Sequence, residues 1–178
     1  MNDLKYSHTE LLKIIIVSII PFLIWGPFFP DLIVTVSASF FLFYIWKNKD
    51  FYYLNNSPFI IFFFFCIFIV ICSLNSDDIE MSLKSSLFYF RIGVFSCFLW
   101  YLIDKDKSIL TYLYYTLVLC FSILVFDGYF QYFNGENLIG LKIQGIRVSS
   151  FFGDELIMGS YLSRLFPLLF ALFLVKKK

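Results

Sequence analysis

Long apolar runs separated by short polar segments make up most of the chain. Each run approaches the roughly 20 residues that a helix needs to cross about 30 Å of hydrocarbon. Blocks such as IIFFFFCIFIVIC are continuous, whereas strands of a membrane barrel alternate between apolar and polar residues. The pattern therefore predicts an all-α, polytopic membrane helical bundle of about six transmembrane helices. The predicted spans are Leu11–Phe29, Asp31–Trp46, Ser57–Leu74, Ser85–Ile103, Ser108–Phe130 and Asp154–Val175.

Glycine, proline and charged residues mark the connections between the predicted spans. In the segment GPFFPD, Gly26 and the two prolines are expected to end the first span, and Asp31 to cap the second. The longest connection, Gln131–Gly153, is rich in glycine and mixed in polarity, which favours a folded surface loop over a plain linker. The sequence contains no internal repeat. We therefore expect residues 1–178 to form a single transmembrane domain.

The distribution of lysine and arginine predicts the orientation in the membrane. One side of the predicted topology receives Lys5, Lys13, Lys47, Lys49, Lys105, Lys107, Lys176, Lys177 and Lys178, and the other receives only Lys84, Lys142 and Arg147. Cytoplasmic loops carry an excess of these residues. Both termini are therefore predicted to be cytoplasmic, and the loop at residues 131–153 is predicted to be extracytoplasmic.

Composition agrees with a membrane protein and excludes several functional classes. The chain is 60% hydrophobic, with a mean hydropathy of +0.82, which leaves too little polar surface for a water-soluble globule. The aromatic content of 23% is explained by lipid contact, so no nucleic-acid partner is expected. All four cysteines fall inside spans without paired spacing, and His8 is the only histidine. We therefore predict no metal site and no cofactor.

Three arginines lie within or beside the predicted spans and suggest an anion site. Arg147 precedes the last span, Arg164 lies inside it, and Arg91 lies inside the fourth span. Charges inside a membrane are costly and usually functional. A guanidinium offers a planar fork of donors that matches phosphate oxygens. We predict that these arginines bind an anionic substrate at a site that includes Asp154 and Glu155, at the start of the last span. These two acids, with Asp127 near the outer end of the fifth span, would pair with the arginines when no ligand is bound.

A purely structural interpretation of the same charges remains open. Arg91 would then pair with Asp127 to join two spans, and Arg164 would belong to a buried ion pair. Asp154 and Glu155 would be ordinary acids in the first turn of a helix.

The segment RVSSFFGDELIMGSYLSRL, from Arg147 to Leu165, resembles the O-antigen ligase and polymerase family. In that family, a loop containing Arg-x-Ser leads through a Phe-Gly turn into the next helix. Gln131–Tyr132 and Gly135, ahead of the segment, belong to the same resemblance. The resemblance covers a small part of the chain.

The resemblance implies metal-independent, inverting glycan transfer at the outer face of a bacterial inner membrane. The donor would be a glycan on undecaprenyl diphosphate, and the acceptor lipid A–core or a growing polysaccharide. Arg147 matches the family's loop arginine and would hold the donor diphosphate. Because family members have more spans and a later outer loop with a histidine, this chain is expected to be an N-terminal half that is inactive alone. The alternative is a small six-helix membrane transporter or assembly factor with structural ion pairs.

Overall fold

The protein is helical throughout the part of the chain that the structure describes. The structure is a computed structural model that describes residues 2–143, 145 and 147–177, with side chains from Glu10 onward. The helices are α1 (Asn2–Val17), α2 (Ile19–Trp25), α3 (Phe28–Asn48), α4 (Ser57–Ser73), α5 (Ile79–Leu87), α6 (Phe90–Lys105), α7 (Ser108–Asn134) and α8 (Met158–Lys177), with a 3-10 turn at Ser150–Phe152. Within the described residues no strand forms, which confirms the all-α prediction.

Four helical segments in the described chain are long and apolar enough to cross a membrane. They are Phe28–Asn48, Ile79–Lys105, Ser108–Asn134 and Met158–Lys177. The apolar helix α4 is shorter, with 17 residues. The first predicted span is divided at Ser18 into α1 and α2. These helices identify a membrane protein, while the number of six spans and the orientation stay predictions.

Predicted helix starts at two acidic segments differ from the structure. The last helix begins at Met158, not at Asp154, because the amide of Glu155 donates to the carbonyl of Phe152 in a turn that precedes the helix. Asp154 and Glu155 are therefore not first-turn helix acids. Asp31 lies within the first turn of α3 and does not cap it. The predicted break between these early helices is present at Gly26, where α2 ends.

The helices fall into two compact units. The central unit is Asp31–Asp106, and the terminal unit combines Met1–Pro30 with Lys107–Lys178. In the central unit, α4 packs against α5 and α6. Its buried core includes Phe41, Ile45, Val94, Phe98 and Leu102.

Close packing of α4 on α6 depends on one glycine. Gly93 of α6 is buried, and a Cβ built on it would lie 2.5 Å from two atoms of the Phe62 ring of α4. That ring is in turn stacked on Tyr89, with 5.9 Å between ring centroids. The absence of a side chain at position 93 therefore lets the two helices approach.

The terminal unit brings together the first and last helices of the chain. Its core contains Ile20, Leu117, Cys120, Leu124, Phe152, Tyr161 and Leu172. The hydroxyl of Tyr161 donates to the carbonyl of Ile20 at 3.0 Å. On α1, the buried amine of Lys13 donates to the carboxylate of Glu10 at 2.7 Å and to the hydroxyl of Ser108 at 2.8 Å. These bonds tie α1 to α7 and α2 to α8 within the unit.

Candidate functional site

The connection between α7 and α8 is a folded loop, here called the Arg147 loop, that comprises residues 135–157. It begins at Gly135, whose φ of 79° is the left-handed conformation that commonly ends a helix. The amide of Gly135 donates to the carbonyl of Gln131 at 2.9 Å, which completes the end of α7. An isolated antiparallel bridge then pairs Glu136 with Lys142. The described part of the loop is therefore ordered by its own backbone bonds.

Asn137 shapes the first turn of the Arg147 loop. Its side-chain oxygen accepts hydrogen bonds from the amides of Ile139 at 3.1 Å and Leu141 at 2.8 Å. Its own amide donates to the carbonyl of Leu141 at 2.9 Å. An asparagine that bonds to the backbone two residues ahead imitates a backbone turn, and Gly140 adopts a φ of 86° in the same turn. The motif N-L-I-G is thus a local signal for this geometry.

Five polar side chains, one of them Asn137 of this turn, form a buried polar cluster: Asp127, Gln131, Asn137, Ser149 and Ser150. Asp127, Gln131 and both serines are 0% exposed, and Asn137 is 3% exposed. Asp127 and Gln131 are one helical turn apart on α7, so both side chains reach the loop from the same face. The other three members belong to the loop. The cluster therefore joins the loop to the end of a candidate membrane helix.

Gln131 joins two separate segments of the Arg147 loop. Its side-chain oxygen accepts from the amides of Ser149 at 3.0 Å and Ser150 at 2.8 Å. Its side-chain nitrogen donates to the carbonyl of Leu141 at 3.1 Å. One amide side chain thus satisfies three backbone groups that burial would otherwise leave unpaired.

Asp127 accepts hydrogen bonds from three neutral donors of the loop. One oxygen accepts from the amide of Leu138 at 3.0 Å, and the other accepts from the amide of the Asn137 side chain at 3.4 Å and from the hydroxyl of Ser150. The Asn137 side chain also donates to the carbonyl of Ser150 at 3.0 Å. Ser150 has a φ of 51°, a strained conformation for a residue with a side chain. The cluster holds this conformation in place.

Arg147 lies on the surface of this anchored loop. Its side chain is exposed, and no hydrogen bond or ion pair joins its guanidinium to another described residue. Two residues later, the amide of Ser149 donates to the side-chain oxygen of Gln131. This bond anchors the loop on the C-terminal side of Arg147, and the guanidinium remains available to a ligand. Asp154 and Glu155 are exposed at the far end of the same loop.

An apolar groove of about 380 Å³ lies beside the Arg147 loop. It is lined by Val125, Gly128, Tyr129, Tyr132, Val148 and Met158. Val148, which follows Arg147 directly in the chain, lines this groove, so the groove adjoins the segment that carries the cation.

The structure places the other two predicted arginines in different surroundings. Arg164 is exposed on α8 and is not part of a buried ion pair within the described chain. Arg91 lies in the central unit, where it forms an ion pair with Asp31 and donates to the hydroxyl of Thr35 at 2.7 Å. Arg91 therefore pairs with Asp31, and not with Asp127 as the structural interpretation of the sequence had it.

Comparisons with family models, with curated proteins and with solved structures find no match to the chain.

Proposed function

We propose that this chain is the N-terminal membrane portion of an O-antigen ligase-like glycan transferase, in which Arg147 binds the diphosphate of an undecaprenyl diphosphate-linked glycan. The observation that carries the proposal is an exposed arginine without a partner in the described chain, on a loop anchored by a buried polar cluster. A guanidinium binds two phosphate oxygens in parallel, and a rigid backbone lowers the entropy cost of that binding.

The surroundings of Arg147 suit a lipid-linked anion. A polyprenyl diphosphate combines a charged head with a long hydrocarbon tail. The apolar groove beside Val148 and Met158 offers a surface for the first part of such a tail. Exposed apolar side chains on α7, such as Phe126 and Tyr129, continue this surface. Head and tail would then bind adjacent parts of the same unit.

In the proposed reaction, a hydroxyl of lipid A–core or of a growing polysaccharide attacks the anomeric carbon of the donor sugar and gives its proton to a base supplied by further membrane segments. The bond from that carbon to the diphosphate oxygen breaks on the opposite face, which inverts the configuration. Negative charge grows on the departing diphosphate, and Arg147 stabilises it. The remaining groups of the reaction would come from further membrane segments, so this chain alone is proposed to be inactive.

The proposal places the protein in a bacterial inner membrane with six spans and both termini in the cytoplasm. In that arrangement α1 and α2 together form the first span, and α4 crosses as a short helix. The Arg147 loop then faces the extracytoplasmic side, where lipid-linked glycans are transferred. The lysine asymmetry of the sequence supports this orientation.

Reporter fusions test the orientation. Alkaline phosphatase fused after Asn137 is expected to be active, because the enzyme matures only outside the cytoplasm. Fused after Asp106, between α6 and α7, it is expected to be inactive. The opposite pair of activities would put Arg147 in the cytoplasm and end the glycan-transfer proposal.

Substitution of Arg147 tests the function directly. In a complete transferase that contains this portion, Arg147→Ala is expected to lower glycan transfer about tenfold to a hundredfold, since a charge-assisted bond to the diphosphate is lost. Arg147→Lys should also impair transfer, because an ammonium cannot reproduce the planar fork. The measurement is transfer to the acceptor, normalised to the amount of protein in the membrane.

Lys142→Ala is the matched control for these variants. Lys142 is an exposed cation of the same loop, so its removal changes the net charge equally. We expect near-normal transfer by Lys142→Ala and equal abundance of all three variants. Normal transfer by Arg147→Ala would remove Arg147 from the site.

A second candidate is a small six-helix membrane transporter or assembly factor. The ion pair of Arg91 with Asp31 favours it, because a bond between α6 and α3 explains one of the three arginines without a ligand. This candidate predicts that Arg147→Ala is nearly silent and that Arg91 variants lower protein abundance.

A further inference from the structure

A second groove, here called the α1–α7 groove, lies in the terminal unit and has a volume of about 280 Å³. Its walls are formed by Ile14, Val17 and Pro21 on one side and by Tyr112 and Thr116 on the other. The spacing of three and four residues places each set on one face of its helix. The helical backbone continues through the interruption at Ser18, whose carbonyl accepts from the amide of Phe22 at 3.1 Å. The groove is therefore one continuous seam along the first predicted span.

One end of the α1–α7 groove is lined by the ion pair of Glu10 and Lys13. The amine of Lys13 donates to Glu10 at 2.7 Å and to the hydroxyl of Ser108 at 2.8 Å, so it is fixed between α1 and α7. The Lys13 side chain is only 4% exposed, whereas the Glu10 side chain is 30% exposed. This end of the groove therefore presents a carboxylate that is held by a buried ammonium.

The length of the α1–α7 groove matches one leaflet of a bilayer. From Glu10 to Pro21, a helical rise of about 1.5 Å per residue spans about 16 Å. Half of a hydrocarbon core of about 30 Å is about 15 Å. The first predicted span begins at Leu11, so the ion pair lies at the boundary between headgroups and hydrocarbon. The groove then runs from this boundary toward the middle of the bilayer.

We propose that the α1–α7 groove binds one phospholipid with a zwitterionic headgroup whose ammonium carries hydrogens, as in phosphatidylethanolamine. The lipid ammonium donates to the carboxylate of Glu10, the positive charge of Lys13 attracts the lipid phosphate, and one acyl chain lies along the apolar wall. Charge complementarity identifies the headgroup, because a choline has no N–H to donate and a glycerol headgroup has no cation. The proposal requires that α1 and α2 together cross the membrane, and it does not depend on glycan transfer.

Binding of defined lipids to the full chain tests this selectivity. The purified protein in detergent micelles is titrated with phosphatidylethanolamine, phosphatidylcholine or phosphatidylglycerol of identical acyl chains, and native mass spectrometry measures the bound fraction. Phosphatidylethanolamine is expected to bind about tenfold tighter than the other two, since it alone donates a charge-assisted bond to Glu10. Glu10→Gln keeps the shape and an acceptor for Lys13 but removes the charge, so it should reduce the preference to about threefold or less.

Glu80→Gln is the matched control, because Glu80 pairs with Lys84 at the same distance of 2.7 Å and both side chains are exposed on α5. It should leave the preference unchanged. Thr116→Phe, which places a ring in the groove, should weaken binding of all three lipids.

Equal binding of the three lipids by the unmodified chain would overturn the proposal. A preference that Glu10→Gln leaves unchanged, or that Glu80→Gln also removes, would do the same. Tightest binding of phosphatidylglycerol would show that Lys13 selects an anionic lipid, and would count against the zwitterionic headgroup. Binding that Thr116→Phe does not weaken would place the lipid outside the α1–α7 groove.

Discussion

Replacing Asp127 with alanine is expected to detach the Arg147 loop from α7 and to lower the free energy of unfolding by about 3 kcal/mol. The substitution removes the acceptor of three donors that lie away from water: the Leu138 amide, the Asn137 side chain and the Ser150 hydroxyl. Leaving a buried donor without an acceptor costs more free energy than an ordinary hydrogen bond contributes to stability. Release of the strained φ at Ser150 offsets only part of this loss.

Two measurements check the Asp127 prediction. Unfolding of the purified protein in mixed micelles should shift to lower denaturant. Hydrogen exchange should become faster at the amides of Leu138 and Ser149, which lie in the anchored part of the loop. Glu136→Ala is the matched control, because Glu136 is an exposed acid of the same loop; its effect should stay within about 0.5 kcal/mol. Unchanged exchange in Asp127→Ala would show that the cluster does not hold the loop.

Gly93→Ala is expected to lower the free energy of unfolding by about 1–3 kcal/mol, which is the usual effect of overpacking a filled core. The added methyl would lie 2.5 Å from the Phe62 ring, and the ring is confined by Tyr89 on the adjoining turn. Relief of the contact requires α4 and α6 to move apart. The measurement is unfolding in mixed micelles, followed by tryptophan fluorescence of a chain in which Trp25 and Trp46 are replaced by phenylalanine, so that Trp100 of α6 is the reporter.

Gly159→Ala provides a control with the same chemical change. No atom lies within 4 Å of the position that its Cβ would take, so this variant should be neutral or slightly stabilised. Truncation of Phe62 to alanine should partly rescue Gly93→Ala, because the two effects act through one contact and cannot add. If the losses of stability from Gly93→Ala and Phe62→Ala add in the double variant, Gly93 does not act by letting α4 and α6 approach closely.

The sequence predicts the helices well because length and continuous apolar character are local properties. The break at Gly26 is equally local, since glycine and proline interrupt a helix wherever they stand. The interruption at Ser18 has a local signal as well, because Pro21 has no amide hydrogen for the carbonyl of Val17, where α1 ends. The interruption at Phe88–Tyr89 has no glycine or proline beside it, so the sequence pattern does not reveal it.

The polar contacts were harder to predict. The purely structural interpretation of the sequence pairs Asp127 with Arg91; in the structure, Asp127 accepts hydrogen bonds from a backbone amide, a side-chain amide and a hydroxyl of the Arg147 loop. The spacing of Asp127 and Gln131 shows that both share a helix face, but the sequence does not show what covers that face. Ser149 and Ser150, which bond to Gln131 on that face, lie 18 and 19 residues further along the chain. Hydrogen-bond partners that lie far apart in the sequence are determined by the folded structure, and a local sequence pattern does not reveal them.

The terminal unit is built from two stretches of the chain that are separated by the central unit, so it can be completed only after the second stretch has been synthesised. The central unit, Asp31–Asp106, is continuous, so all of its contacts become possible once that stretch has left the ribosome. Helices α1 and α2 emerge before the central unit, but their core around Ile20 is complete only when Leu117, Phe152 and Tyr161 have been synthesised. These two helices are thus among the last to contact their native neighbours. Until α8 has been synthesised, the carbonyl of Ile20 cannot accept the hydrogen bond that the hydroxyl of Tyr161 donates in the folded protein.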